Sequence, residues 1–499
     1  MAERDDLGRK EDDIRIKLAQ HELGKQILDL IDYMIQGDYQ WLNEFIQRRF
    51  SKLQEKSESG SFSSIDKLKF LFRANLQEKI RIIRLRQYLE TGVAVDCKGI
   101  ANELLFSIKL ASTPESTQEL VDVSVSFPKA SENLKIESIF HFEDVSKDLE
   151  RYLTTLEERG LFSGGVLIAK DEVPIFTKVG GEACKRYQIR NNLETKFNLA
   201  SMTKIFTSIA IMQLYEQGKL DVHDTINKNI PSFPEAEKIT VHYLLTHTSG
   251  LGSLWNRKFE QSWTKLRTID DFIGLFAEDA LLFPPGQKDH YSNTGYILLG
   301  KIIEVITGKS YFEHVKQSIY EPANMVNTDA FEMDKEVPNL AIGYTHYNYL
   351  DEFDPSESER RNNLFRCPIK GDSAGSGYST LSDLLKFANA LQKGYLLSQE
   401  YLDLATRPYV GTRQNGYGYG IKIGELSGFM FYGHGGGAEG VGTDLMIIPE
   451  AGITVVILTN YDFLYTELLV KKKLAKLLQE LLHSKSSCPE NDHRTRRGS

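Results

Sequence analysis

No apolar run in this 499-residue chain approaches the ~20 residues of a membrane span, and its first thirteen residues are dominated by charge. Neither a signal peptide nor a membrane anchor is expected, and the expected location is cytoplasmic. Basic excess is also lacking. A formal net charge of −9 and a pI near 5.8 argue against nucleic acid or an anionic membrane as a general partner. Lys79, Arg81, Arg84 and Arg86 are spaced as the solvated face of a helix. Cysteine is scarce: Cys97, Cys184, Cys367 and Cys488 show no metal-like spacing and fit a reducing compartment. His242 and His247 flank a short apolar stretch, without a His-x-x-x-His pair or an acidic companion. No metal and no cofactor are expected. There is no internal repeat.

What the chain does carry is Ser201-Met202-Thr203-Lys204 at the head of an apolar run formed by Ile205, Phe206, Ile209, Ile211, Met212 and Leu214, with Gly218 as a C-cap. The tetrad pattern also occurs at Ser64 to Lys67, Ser126 to Lys129 and Ser262 to Lys265, so its context decides. Three residues apart on a buried helix, Ser201 and Lys204 share a face, and desolvation of the lysine favours its neutral, basic form. Tyr291-Ser292-Asn293 follows the Pro284-Pro285-Gly286 turn and precedes a helix expected from about Gly295. Tyr291 can relay a proton, and Asn293 can accept from Lys204 while donating to a substrate carbonyl. Gly433-His434-Gly435-Gly436-Gly437 reads as a glycine-rich edge strand, where a substrate can approach the backbone closely.

Together with Phe197 to Ala200, Leu244 to Leu251 and Gly375 to Thr380, these motifs resemble the serine β-lactamase and penicillin-binding-protein superfamily, in the branch of class C β-lactamases, family VIII carboxylesterases and D-aminopeptidases. The resemblance spans roughly residues 145 to 485. It implies an acylated nucleophile at Ser201, a base system of Lys204 and Tyr291, and positioning of the acyl amide by Asn293. It also implies an oxyanion hole from the N–H groups of Ser201 and Gly437, with Gly436 converging on the same cleft. Where β-lactam-processing relatives carry Lys-Thr-Gly, this chain has His434-Gly435-Gly436, which removes a permanent cation and a hydroxyl. Efficient β-lactam hydrolysis is therefore not expected. His434 is either a carboxylate ligand whose charge varies with pH or a strand residue satisfied by backbone.

A competing nucleophile-elbow pattern, Gly371-Asp372-Ser373-Ala374-Gly375, fails on order, because the His-Gly-Gly-Gly segment follows it rather than preceding it. Ser373 is read as a loop residue.

The expected class is α+β. Residues 1–13 and 485–499 read as disordered, 14–142 as an accessory α+β domain and 143–484 as the hydrolase domain. In the accessory domain, helices over 14–50, broken at Gly37-Asp38, precede a serine-rich linker at 57–64, a helix over 65–89 and strands at 104–110, 120–127 and 134–142. This order weakly resembles the cystatin-like cone of the nuclear transport factor family. The hydrolase domain should hold a five-stranded antiparallel sheet from strands at 164–169, 173–179, 429–432, 443–448 and 453–459. Helices at 143–158 and 464–482 should flank it, with a mostly helical lobe over 220–391. Trp255, Phe259 and Trp263 are candidate pocket residues, and the loops at 251–270 and 351–363 would set specificity. The expected activity is acyl-enzyme hydrolysis of a small ester or amide. D-peptide or amide hydrolysis, weak β-lactam hydrolysis and a degenerate binding scaffold stand as alternatives. Beyond the substrate, a homodimer through the N-terminal domain is the partner expectation.

Overall fold

A computed structural model describes residues 2–36, 39–49, 80–89, 92–99, 105–113, 116–126, 142–254, 257–347, 360–462, 471, 474–475 and 478. The chain forms two compact units, one mainly from residues 1–132 and one mainly from 133–344 and 362–499.

In the first unit, helices α1 (Ala2–Ala19), α2 (Glu22–Gln36) and α3 (Tyr39–Arg49) are followed by strands β1 (Ile80–Leu89), β2 (Gly92–Gly99), β3 (Leu105–Thr113) and β4 (Ser116–Ser126). The strands make an antiparallel meander in chain order. Leu23, Ile27, Leu30, Ile31 and Met34 of α2 pack with Ile80, Ile82, Val93, Val95, Ile108 and Leu110. Three expectations change. Residues 2–13 are helical: Glu11 pairs with Arg15 one turn on and accepts from the Ile82 N–H at 3.3 Å. Residues 80–89 are a strand, not the end of a helix. Register shifts between Ile82 and Arg84 and between Leu85 and Gln87 break the two-residue alternation, so the apolar spacing imitates a helix. The strand β2 was not anticipated. The segments 57–64, 65–79 and 134–141 lie outside the described residues.

The second unit is built on an eight-stranded antiparallel sheet rather than five. Its strands are β5 (Gly164–Lys170), β6 (Val173–Gly180), β7 (Val410–Thr412), β8 (Asn415–Tyr417), β9 (Lys422–Leu426), β10 (Phe429–Ala438), β11 (Val441–Ile448) and β12 (Ile453–Thr459), in spatial order β7-β8-β9-β10-β11-β12-β5-β6. The three added strands are short and rich in glycine and charge, so they carry no alternating apolar signal. Strands β11 and β12 are buried at every position, as residues covered on both faces must be. On one face Leu167, Leu445, Ile447, Val456 and Leu458 join the core of the helical lobe. Before the sheet, helix α4 (Phe142–Glu158) buries the stripe Leu149, Leu153 and Leu156. Of the expected C-terminal helix, only Lys471, Leu474, Ala475 and Leu478 are described, all helical.

Two helices carry the site. Helix α5 (Thr203–Glu216) is buried from Thr203 through Leu214, and its chain leaves through Gly218 at φ +67°. Helix α6 (Asn293–Thr307) starts two residues earlier than expected, because Ser292 caps it by accepting from the Gly295 N–H at 3.3 Å.

Candidate functional site

Ser201 lies on a single 3-10 turn, Ala200–Met202, that feeds α5. The turn is held by distant parts of the chain. Phe197–Asn198 pairs with Tyr378–Ser379, the Leu199 N–H donates to the Gly377 carbonyl at 2.7 Å, and Thr443 Oγ1 donates to the Leu199 carbonyl at 3.0 Å. These contacts, with the Ala200 N–H donating to Asn198 Oδ1 at 2.8 Å, keep Ala200 at φ +43°, a conformation that a non-glycine residue adopts only when its surroundings impose it.

Lys204 is fully buried, and its Nζ is hydrogen-bonded on three sides. Nζ stands 3.2 Å from Ser201 Oγ, 2.7 Å from Asn293 Oδ1 and 2.6 Å from the Ala374 carbonyl. The rings of Tyr291 and Tyr296 complete the cage, with centroids at 4.9 and 5.5 Å. Asn293 spends its oxygen on the lysine and keeps its amide N–H groups for another acceptor. Tyr291 is 47% exposed. The structure thus brings Ser201, Lys204, Tyr291 and Asn293 together.

Strand β10 supplies the opposite wall, and it is an interior strand rather than an edge. Its partner β9 reaches only as far as Gly433, so among the described residues no strand pairs with His434–Ala438 on that side. At Gly436 a Cβ would collide with the Leu199 carbonyl and stand 2.9 Å from the Ser201 N, so only glycine lets the strand come this close to the Ser201 turn. At Gly437 a Cβ would meet nothing within 4 Å.

His434 departs from one of its two expected roles. It is buried, and a chain of hydrogen bonds uses both ring nitrogens. The Ser292 N–H can only donate, so His247 Nδ1 accepts it at 3.1 Å and His247 Nε2–H donates to Tyr417 Oη at 3.2 Å. The Gly435 carbonyl can only accept, so His434 Nδ1–H donates to it at 2.5 Å, leaving Nε2 to accept from the Tyr417 hydroxyl at 3.0 Å. Burial first, then the positive charges of Lys422 and Lys204, hold the His434 pKa well below the usual histidine value; burial and Lys204 do the same to His247. His434 is therefore neutral in the physiological range and offers no pH-dependent cation.

Sequence reasoning missed three participants. His247 grips Tyr291 from both sides: its carbonyl accepts from the His290 N–H at 2.8 Å, its ring accepts from Ser292, and its centroid lies 4.3 Å from that of Tyr291. Tyr417 has as its signal only the glycine-spaced Tyr417-Gly418-Tyr419-Gly420. Asp372 is buried, and its Oδ1 accepts from the N–H groups of Ala374 and Gly375, which shapes the loop whose Ala374 carbonyl holds Lys204. Burial pushes the Asp372 carboxyl up to about 6, against the opposing pull of those two N–H groups and of Lys204.

Ser373 is fully buried, and its Oγ faces Gly300 of α6, so it offers no nucleophile to a cleft. Phe259 belongs to the core and Trp263 packs against it; Trp255 and residues 348–359 lie outside the described residues. Among the described residues, no helix is long and apolar enough to cross a membrane.

The chain is 30% identical over 331 residues to penicillin-binding protein 4* of Bacillus subtilis, covering 63% of this chain and 72% of that protein. A penicillin-binding protein from Bacillus halodurans superposes with a TM-score of 0.58 at 30% identity, over 66% of this chain and 98% of that one. D-amino acid amidase from Ochrobactrum anthropi SV3, crystallised with L-phenylalanine amide, superposes with a TM-score of 0.57 at 25% identity, over 68% and 99%. Residues 149–479 match the Beta-lactamase family. With its antiparallel sheet, its helical lobe and a Ser-x-x-Lys helix between them, the chain belongs to the Beta-lactamase family of serine hydrolases and acyl-transferases.

Proposed function

We propose that the protein hydrolyses small esters or amides through an acyl-enzyme on Ser201. The observation that carries this is the three-way grip on Lys204, which points its Nζ at Ser201 Oγ from 3.2 Å. Ser201 Oγ attacks the substrate carbonyl as Lys204 and Tyr291 take its proton and deliver it to the leaving group. The Asn293 amide steadies the acyl portion. The backbone N–H groups of Ser201 and Gly437 face the developing oxyanion where Gly436 allows β10 its close approach. Water then releases the acid by the same route in reverse.

A fluorophosphonate probe followed by peptide mapping tests the nucleophile. Labelling of Ser201 is expected; an adduct elsewhere, or none, defeats the proposal. Amide hydrolysis is a second reading, favoured by the likeness to D-amino acid amidase. Turnover of D-amino acid amides above acyl esters in a substrate panel would select it.

A further inference from the structure

The hydrogen-bond partners of Lys204 Nζ, which are Ser201 Oγ, Asn293 Oδ1 and the Ala374 carbonyl, are all neutral. The carbonyl leads to a charge. It belongs to the same peptide group as the Gly375 N–H, and that N–H donates to Asp372 Oδ1 at 2.9 Å. One peptide is therefore held at both ends, its oxygen by the lysine at 2.6 Å and its hydrogen by the aspartate. Hydrogen bonds in series polarise one another, and both side chains are buried, where water screens them least.

The bridging peptide is fixed in place. The Asp372 N–H donates back to the Gly375 carbonyl at 2.9 Å, and α5 ties the same loop down twice more. Thr207 Oγ1 donates to the Ser373 carbonyl at 2.6 Å while accepting from Tyr311 Oη at 2.7 Å, and Thr203 Oγ1 accepts from the Gly377 N–H at 3.1 Å. An asparagine at 372 would offer Ala374 and Gly375 the same oxygen. What aspartate adds is charge, and the fold resists it, since burial pushes the carboxyl up to about 6. Among the described residues, the titratable groups around the pair are Tyr311 beside Asp372, and Tyr291, Tyr296, His247 and His434 beside Lys204. Within that set Asp372 alone brings a carboxylate.

We propose that Asp372 is a positioning residue of acylation, the counterion of Lys204, acting on it through the Ala374–Gly375 peptide. The effect on rate rests on the Ser201 reading; the coupling of the two side chains does not.

The test titrates protein labelled with ε-13C-lysine by NMR, the Lys204 signal being the one lost in Lys204→Ala. In Asp372→Asn, which keeps the acceptor and removes the charge, the midpoint of that signal should fall by about one pH unit, the size of effect expected from losing a nearby opposite charge. The rising limb of fluorophosphonate labelling against pH should move down with it, and the plateau rate should stay. Asp372→Ala frees both N–H groups and should also lower the plateau by about tenfold or more, because the lysine loses its alignment. If the alanine protein does not fold, Asp372→Ser, with a shorter acceptor, takes its place. A Lys204 midpoint unmoved in Asp372→Asn overturns the counterion, whatever happens to stability. A wild-type plateau in the alanine or serine variant overturns the bridge. A shifted midpoint in a protein whose Ser201 takes no label sinks the hydrolase and leaves the coupling standing.

Discussion

The hydroxyl of Tyr417 stands 3.0 Å from Nε2 of His434 and 3.2 Å from Nε2 of His247, donating to the first and accepting from the second. Both imidazoles are held neutral in the fold, with pKa values below that of an unfolded histidine. A depressed folded pKa adds stability above the unfolded value, near 6.5, that is lost as pH falls through the folded value. Melting temperature should therefore decline as pH drops below about 6.5, and His434→Gln should flatten that decline. Thermal scans from pH 5 to 8 check it; a wild-type curve as flat as the variant's would rule out this coupling.

Asp372 works in the opposite sense. Its folded pKa of about 6 lies above the ordinary 3.8, so the native state disfavours the carboxylate, and stability falls as pH rises between those values. The ionised group costs at most on the order of 3 kcal/mol at neutral pH. Asp372→Asn keeps an oxygen for Ala374 and Gly375, so its stability relative to wild type should improve from pH 4 to 6 and then level off. Denaturant unfolding of both proteins across that range measures the difference.

Lys204→Ala and Tyr291→Phe should each slow acylation by about 10²–10⁴-fold, the usual cost of losing a proton-transfer group. Stopped-flow acylation with circular dichroism separates this from misfolding. Near-normal rates in both variants exclude the shared proton path.

The two glycines of β10 should respond differently. Gly436→Ala forces a methyl group into the Leu199 carbonyl and should cost about 1–3 kcal/mol as well as activity. Gly437→Ala has open space and should fold as wild type. Equal stability losses at the two positions would show that the strand does not approach the Ser201 turn this closely.

The parts of the molecule legible in the sequence are those whose signal is local. Ser201 to Leu214 announces itself by one apolar helix, Thr443 to Ile448 and Ile453 to Thr459 by continuous burial, and Tyr291 to Asn293 by its place before a helix. Strand β1 was illegible because its register shifts scramble the alternation. The His247–Tyr417–His434 chain joins residues separated by 170 and 17 positions, and nothing near any of them marks the others.

The turn that carries Ser201 is held through Leu199 by Gly377 and Thr443, the latter 244 positions from Leu199. Contacts so remote close late, because each long loop must be ordered before it is rewarded. The geometry around Ser201 is therefore a property of the completed domain: a chain that ends before Thr443 lacks both the hydroxyl that holds the Leu199 carbonyl and the strand that closes over the turn.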